Sequence, residues 1–136
     1  MIITNTGRIG IGTLTPSQLL DVAGNVRADS FIAGSTTLNV PDYVFAKNYK
    51  LRPLSELAAY ITKEQHLPEI PSAKEIQQQG IDISEFQMQL LKKVEELTLY
   101  TLQQAQVNQE QARQIKTLRA QLTQLRRGPA FGKRRH

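Results

Sequence analysis

The stretch SEFQMQLLKKVEELTLYTLQQAQVNQEQARQIKTLRAQLTQLRR, residues 84–127, reads as one unbroken helix that Gly128-Pro129 brings to a stop. At 1.5 Å per residue it runs for roughly 64 Å, far more than a small core can cover. One heptad register fits its whole length: Leu90, Val94, Leu97, Thr101, Gln104, Asn108, Gln111, Ile115, Leu118, Leu122 and Leu125 fall at alternating steps of four and three. The seam is apolar at both ends and polar in the middle, where Thr101, Gln104, Asn108 and Gln111 cost stability but can fix register and strand number. Val94 and Ile115 at one seam position, leucine at the other and Asn108 favour two strands by the usual preference. The two halves differ off the seam. Phe86, Leu91, Leu99, Tyr100 and Leu102 make the first half apolar on several sides, whereas past Ala112 the off-seam positions hold Arg, Lys and Gln. The helix is therefore expected to start inside a globular body and to leave it as a parallel coiled coil.

Just before this helix lies HLPEIPSAKEIQQQGIDISEF, residues 66–86, which brings His66, Ser72 and Asp82 close together in sequence. Local structure accounts for these residues better than hydrolysis does. Ser72 stands three before Glu75, and Ser84 three before Gln87, so each pair reads as a capping box, with Ile83 and Met88 as a hydrophobic staple on the second. Gly80 is the expected left-handed stop for a short helix over 73–79. Nothing in the sequence brings a base within reach of either serine, and no catalytic residue is assigned.

Further upstream, PLSELAAYITKEQ reads as a helix with Pro53 in its first turn and one buried stripe of Leu54, Leu57, Ala58 and Ile61. DYVFAKNYKL reads as a strand, with Tyr43, Phe45, Tyr49 and Tyr60 in the core. The first third reads as strand and turn. RIGIG and LDVAGNVRADSF alternate as half-buried strands do, and TPSQ reads as a helical turn capped by Thr15 and Gln18. Gly24-Asn25 is a hairpin signal, and STTLNV a further extended run.

Composition narrows the classes. The chain has 136 residues, no cysteine, no tryptophan and few other aromatics. A disulfide framework and a cysteine-ligated metal are excluded, no cofactor is expected, and a core this modest is expected to be completed by copies of the same chain. The start MIITNTGRIGIG does not read as a secretory leader, and no stretch approaches the length of a membrane span. The net charge of +5 belongs to the far end, where Arg113, Lys116, Arg119, Arg126, Arg127, Lys133, Arg134 and Arg135 have no acid among them. Without interleaved aromatics or a nucleic-acid motif this reads as a solvated end, so neither nucleic acid nor membrane is an expected partner.

GRIGIGTLTPSQLLDVAGNVRADSF resembles the G-I-G-T-x-x-P-x-x-x-L-D-V-x-G-x-V-x-A repeat near the C-terminal ends of bacterial surface and phage tail fibre-like proteins. The block from Asp42 to Tyr100, with HLPEIPSA and EELTLY, looks like the segment that closes many of them, so the resemblance covers residues 7–100. The placement is similar to that of the endosialidase-type intramolecular chaperones, which trimerise fibres from the C-terminal end and often cut themselves off at a serine with a nearby lysine. The resemblance implies an extracellular or phage-like particle, a homotrimer and an assembly role. The self-cleaving family's serine-aspartate start and Arg-Leu-Lys run are absent. Ser30 or Ser35 with Lys47 or Lys50 do not match in order or spacing.

The expected fold is α+β. It comprises a β-rich shaft segment over 1–40, a strand and helix body over 41–83, the long helix and coiled coil over 84–127, and a basic tail over 128–136. The leading reading is a non-enzymatic trimerisation module. The alternatives are a self-cleaving chaperone peptidase and a receptor-binding tip that takes a cell-surface glycan or protein.

Overall fold

The computed structural model describes residues 1–34 and 38–128. The chain is α+β, with a small three-stranded sheet near its start and a long helix near its end. It divides into two compact units, the first spanning Met1–Gly34 and the second running onward from Ser35.

In the first unit β1 (Ile2–Ile3), β2 (Ile9–Ile11) and β3 (Leu20–Val22) lie in that order. β1 pairs with β2 antiparallel, Ile3 opposite Ile9, and β2 with β3 parallel, Gly10 opposite Asp21. Gly10 is buried at the centre of the sheet, and a Cβ there would stand 2.5 Å from the Thr13 carbonyl oxygen, so only glycine fits. The link between β2 and β3 is irregular. Thr15 does not cap a helical turn in TPSQ, because the Ser17 N–H and hydroxyl both donate to Asp21 Oδ2 at 2.9 Å and the Arg8 guanidinium donates to the Pro16 carbonyl. These bonds to neighbouring strands hold the link open. β3 is also shorter than the alternation in LDVAGNVRADSF implied. It ends at Val22, and no strand follows the Gly24-Asn25 signal among the described residues. Of the STTLNV run, residues 35–37 lie outside the described residues, and 38–40 are irregular.

The second unit opens with a 3₁₀ turn, Pro41–Phe45, where alternation predicted a strand. Proline at the first position pre-sets the helical φ, and Asp42 in the first turn suits the helix dipole. Residues three apart eclipse in a 3₁₀ turn, so Pro41 and Val44 point the same way. Both are fully buried, Val44 at 1% exposure, where the turn packs on the long helix. Tyr43 and Phe45, expected in the core, consequently face outward, while Tyr49 and Tyr60 are half-buried.

Three α-helices follow. α1 spans Leu54–Glu64 and ends at Gln65, whose φ of 60° is left-handed. Its stripe is not buried as expected, since only Leu57 is half-covered while Leu54, Ala58 and Ile61 stay exposed. α2 spans Ala73–Gln79, and Ser72 caps it with a reciprocal box: the Glu75 N–H donates to Ser72 Oγ at 3.3 Å, and the Ser72 N–H to Glu75 Oε2 at 2.7 Å. Gly80 stops α2 with a φ of 72°, but its ψ of −166° is a glycine-only extended conformation rather than left-handed helix. α3 spans Ile83–Arg127.

The cap of α3 corrects the sequence expectation. Asp82, not Ser84, is its N-cap, and its carboxylate accepts from the Glu85 N–H at 3.0 Å. Ser84 lies inside the first turn and Gln87 on an exposed face, so neither caps. An ionised acceptor beside the positive end of the helix dipole outcompetes a serine two residues later. Replacing Ser72 or Asp82 with alanine should each cost about 1 kcal/mol in urea-denaturation stability, whereas Ser84→Ala should change it by less than about 0.5 kcal/mol.

Candidate functional site

Side chains of α3 succeed one another at about 100° around the axis, so burial along the helix can be read as an angle. From Ser84 to Tyr100, the covered positions Ser84, Phe86, Met88, Gln89, Lys92, Lys93, Glu95, Glu96, Leu99 and Tyr100 all fall in one arc. Gln87, Leu90, Leu91, Val94, Leu97, Thr98 and Thr101 fall in the complementary arc, about 120° wide and centred on Val94, and all are exposed. Leu90, Val94 and Leu97 are 43%, 58% and 63% exposed. The chain therefore covers the back of its own helix and leaves open the face that carries the heptad seam.

A polar clamp holds the body on the covered side. Glu69 accepts from Lys92 Nζ at 2.8 and 2.6 Å and from Lys93 Nζ at 3.3 Å, while Lys93 also donates to Glu96 Oε2 at 2.9 Å. The Tyr49 hydroxyl donates to the other Glu96 oxygen, and the Tyr100 hydroxyl to the Arg52 carbonyl at 2.6 Å. The Lys92 ammonium also lies 5.6 Å from the centre of the Tyr43 ring. Burial, reinforced by Glu96, pushes the Tyr49 phenol well above its ordinary pKa, which keeps it a donor. Burial works to raise the Glu69 carboxyl, but the bonds and charges of Lys92 and Lys93 outweigh it and hold the group below its ordinary value.

Glu69 reaches these lysines from a left-handed backbone, φ 66°, between Pro68 and Ile70. That conformation costs a non-glycine residue on the order of 1 kcal/mol, which the clamp offsets. Two carboxylates and two ammonium groups balance one another here. By contrast Glu95, 8% exposed, has an Oε2 atom without a hydrogen-bond partner.

The three residues considered for hydrolysis have separate structural partners. His66 Nδ1 donates to the Leu67 carbonyl at 3.0 Å, and its ring meets Tyr60 edge-on with centroids 5.8 Å apart. Ser72 and Asp82 cap α2 and α3. Ser30, Lys47 and Lys50 are exposed on irregular chain, and Ser35 lies outside the described residues.

Beyond Tyr100 every side chain of α3 is exposed, including Gln111, Ile115, Leu118, Leu122 and Leu125. In the polar middle, Gln104 Nε2 donates to Asn108 Oδ1 at 2.8 Å along the helix. Lys133, Arg134 and Arg135 lie outside the described residues. The described helices include none long and apolar enough to cross a membrane.

Sequence reasoning missed the clamp and the Asp82 cap. The cap had a signal, since Asp82 stands three before Glu85 just as Ser84 does before Gln87. The i, i+3 pair of Lys93 and Glu96 was also legible, but Glu69, 23 residues before Lys92, was not. Comparison with protein families, with curated proteins and with solved structures finds no match to this chain.

The folded Glu69 carboxyl titrates below its ordinary value of 4.5, so the clamp stabilises fully above that value and its contribution is lost as pH falls through the folded value. Glu69 is half exposed, which limits the effect to about 1 kcal/mol at most. Asp21 and Glu75, also held low, titrate in the same direction, so the comparison is with Glu69→Gln. The variant should be less stable to urea than the native chain at neutral pH, and the gap should close in acid. A gap independent of pH would show that the clamp is not ionic.

Proposed function

We propose that this chain is a non-enzymatic trimerisation module at the C-terminal end of a fibre-like surface or phage-tail-type protein, acting outside the cell as an assembly cap. Three copies lie parallel and in register, their long helices joined along the seam from Leu90 to Leu125. The observation that carries this reading is the open arc on α3, which carries Leu90, Leu91, Val94 and Leu97, is continuous with the heptad seam and is left bare by the chain's own body.

Two further observations support it. The open arc includes Leu91 and Thr98 beside the seam, wider than the two-position stripe of a strict two-stranded coil, which favours three strands over the preference of Val94 and Asn108 for two. The first unit also lacks an apolar core. Ile3, Leu14, Leu19, Leu20, Phe31 and Ile32 are all exposed, and strands of two or three residues do not hold together alone. The resemblance of residues 7–31 to a fibre repeat fits strands completed by neighbouring copies.

On this reading the helices zip first, and the raised local concentration removes much of the loop-closure cost of pairing strands from different chains. The polar seam residues Thr101, Gln104, Asn108 and Gln111 then serve to fix register rather than to supply affinity.

Light scattering should give a particle of three chain masses, with the denatured chain intact. One or two chain masses would overturn the proposal. A chain ending at Gln111, which lacks Ile115, Leu118, Leu122 and Leu125, should refold to trimer more slowly than the whole chain. Unchanged refolding kinetics would place the driving contacts in the body instead.

A further inference from the structure

We infer that α1 is a docking arm for a neighbouring copy, its apolar face of Leu54, Ala58 and Ile61 closing over Leu91, Thr98 and Leu102 of that copy's long helix. The inference rests on the parallel assembly proposed above and adds a second contact surface to it.

α1 is amphipathic: Leu54, Leu57, Ala58 and Ile61 form one stripe, with Glu56 and Lys63 on the opposite side. Among the described residues no other helix or strand packs against it, and its covered side meets loop residues such as His66, edge-on to Tyr60. Only Leu57 is half-covered, while Leu54 and Ile61 are 55% and 39% exposed. An isolated helix of eleven residues is marginal in water and draws its stability from packing such a face.

The mounting of α1 selects the occupant. The chain enters α1 from Arg52, whose carbonyl is held by the Tyr100 hydroxyl at 2.6 Å. Leu57 lines a cleft together with Lys93, Glu96 and Tyr100. Lys93 and Tyr100 each stand one residue before a seam position, Val94 and Thr101, so α1 hangs on that flank of α3. In a parallel coiled coil this flank faces the opposite flank of the next helix, the one that follows the other seam position.

On α3 that opposite flank carries Leu91 and Thr98, one residue after Leu90 and Leu97, with Leu102 beyond them. All three are exposed in the single chain. A bare apolar arm on one flank and a bare apolar strip on the other thus belong to the same molecule, on the two sides that parallel packing brings together. Each copy gives one arm and receives one, so the head-to-tail contact closes into a ring under threefold symmetry and leaves neither surface open.

The chain has no cysteine, which makes the test direct. Ala58→Cys and Thr98→Cys are made in separate chains, mixed in denaturant, refolded together and treated with a short bis-maleimide. Val94→Cys, on the seam, is treated alone in parallel. The expected result is a covalent two-chain species from the mixture, absent from Ala58→Cys or Thr98→Cys by itself, and a two-chain species from Val94→Cys. Leu102→Cys in place of Thr98→Cys should give the same product. If Val94→Cys cross-links and neither mixture does, the docking arm is wrong while the parallel assembly stands. If none of them cross-links, both are wrong.

Discussion

A helix of 45 residues, about 67 Å long, is attached to a body that reaches only its first four or five turns. That mismatch is the constraint on which the rest of the structure depends. Most helices in small proteins gain their stability by burying one face against their own core. α3 has no such core past Tyr100, and before Tyr100 the body sits on the wrong side to cover the seam. Most of the large aliphatic side chains on that seam are about half exposed, so each forgoes about 1–2 kcal/mol of the burial it could have. On the proposed reading, copies of the same helix present the matching stripe, in the matching register.

The body's position on the back of the helix follows from chemistry that does not compete for the seam. Val44 and Pro41 fill the apolar part of the contact, brought to one side by the threefold period of a 3₁₀ turn. Around them the contacts are polar. Glu69, Lys92, Lys93, Glu96 and Tyr49 form a balanced chain of charge-assisted bonds, and Tyr100 fixes the backbone at Arg52. Such bonds are directional, so they orient the body on one arc where an apolar contact alone would allow sliding. The left-handed backbone at Glu69 is the cost of that orientation, placed at the third position of a turn that Pro68 begins and the Ile70 N–H closes on the Leu67 carbonyl at 3.1 Å. The seam face of α3 stays open because the groups that anchor the body point away from it.

The same economy of apolar contact marks the first unit. Its three short strands bury little more than Gly10 and Pro16, and their link is organised by hydrogen bonds from Ser17 and Arg8 rather than by packed side chains. α1 is similarly bare on its apolar side. Several parts of one chain thus share a common condition, an amphipathic or strand-forming pattern whose apolar side the described residues leave largely uncovered. The symmetric assembly proposed above accounts for all of them at once, and on that reading the seam of α3 is the element long enough to bring the copies into register.

The sequence by itself determined the long helix, its stop at Gly128, α1, α2 with its bounds, and the cap at Ser72. Each of these is a local matter of period, proline or glycine placement, or a side chain reaching its own backbone within four residues. What only the tertiary structure decided was which face α3 leaves open, the 3₁₀ turn in place of a strand at Pro41–Phe45, the irregular link at Thr15–Gln18, and the clamp through Glu69. At Pro41–Phe45 alternation and threefold period are both compatible with the apolar positions, and packing of Val44 on α3 chose between them. At Thr15–Gln18 a local cap lost to Asp21, which arrives from the next strand. Glu69 meets Lys92 and Lys93 only because the chain folds back after α1, and no spacing rule reaches across that distance.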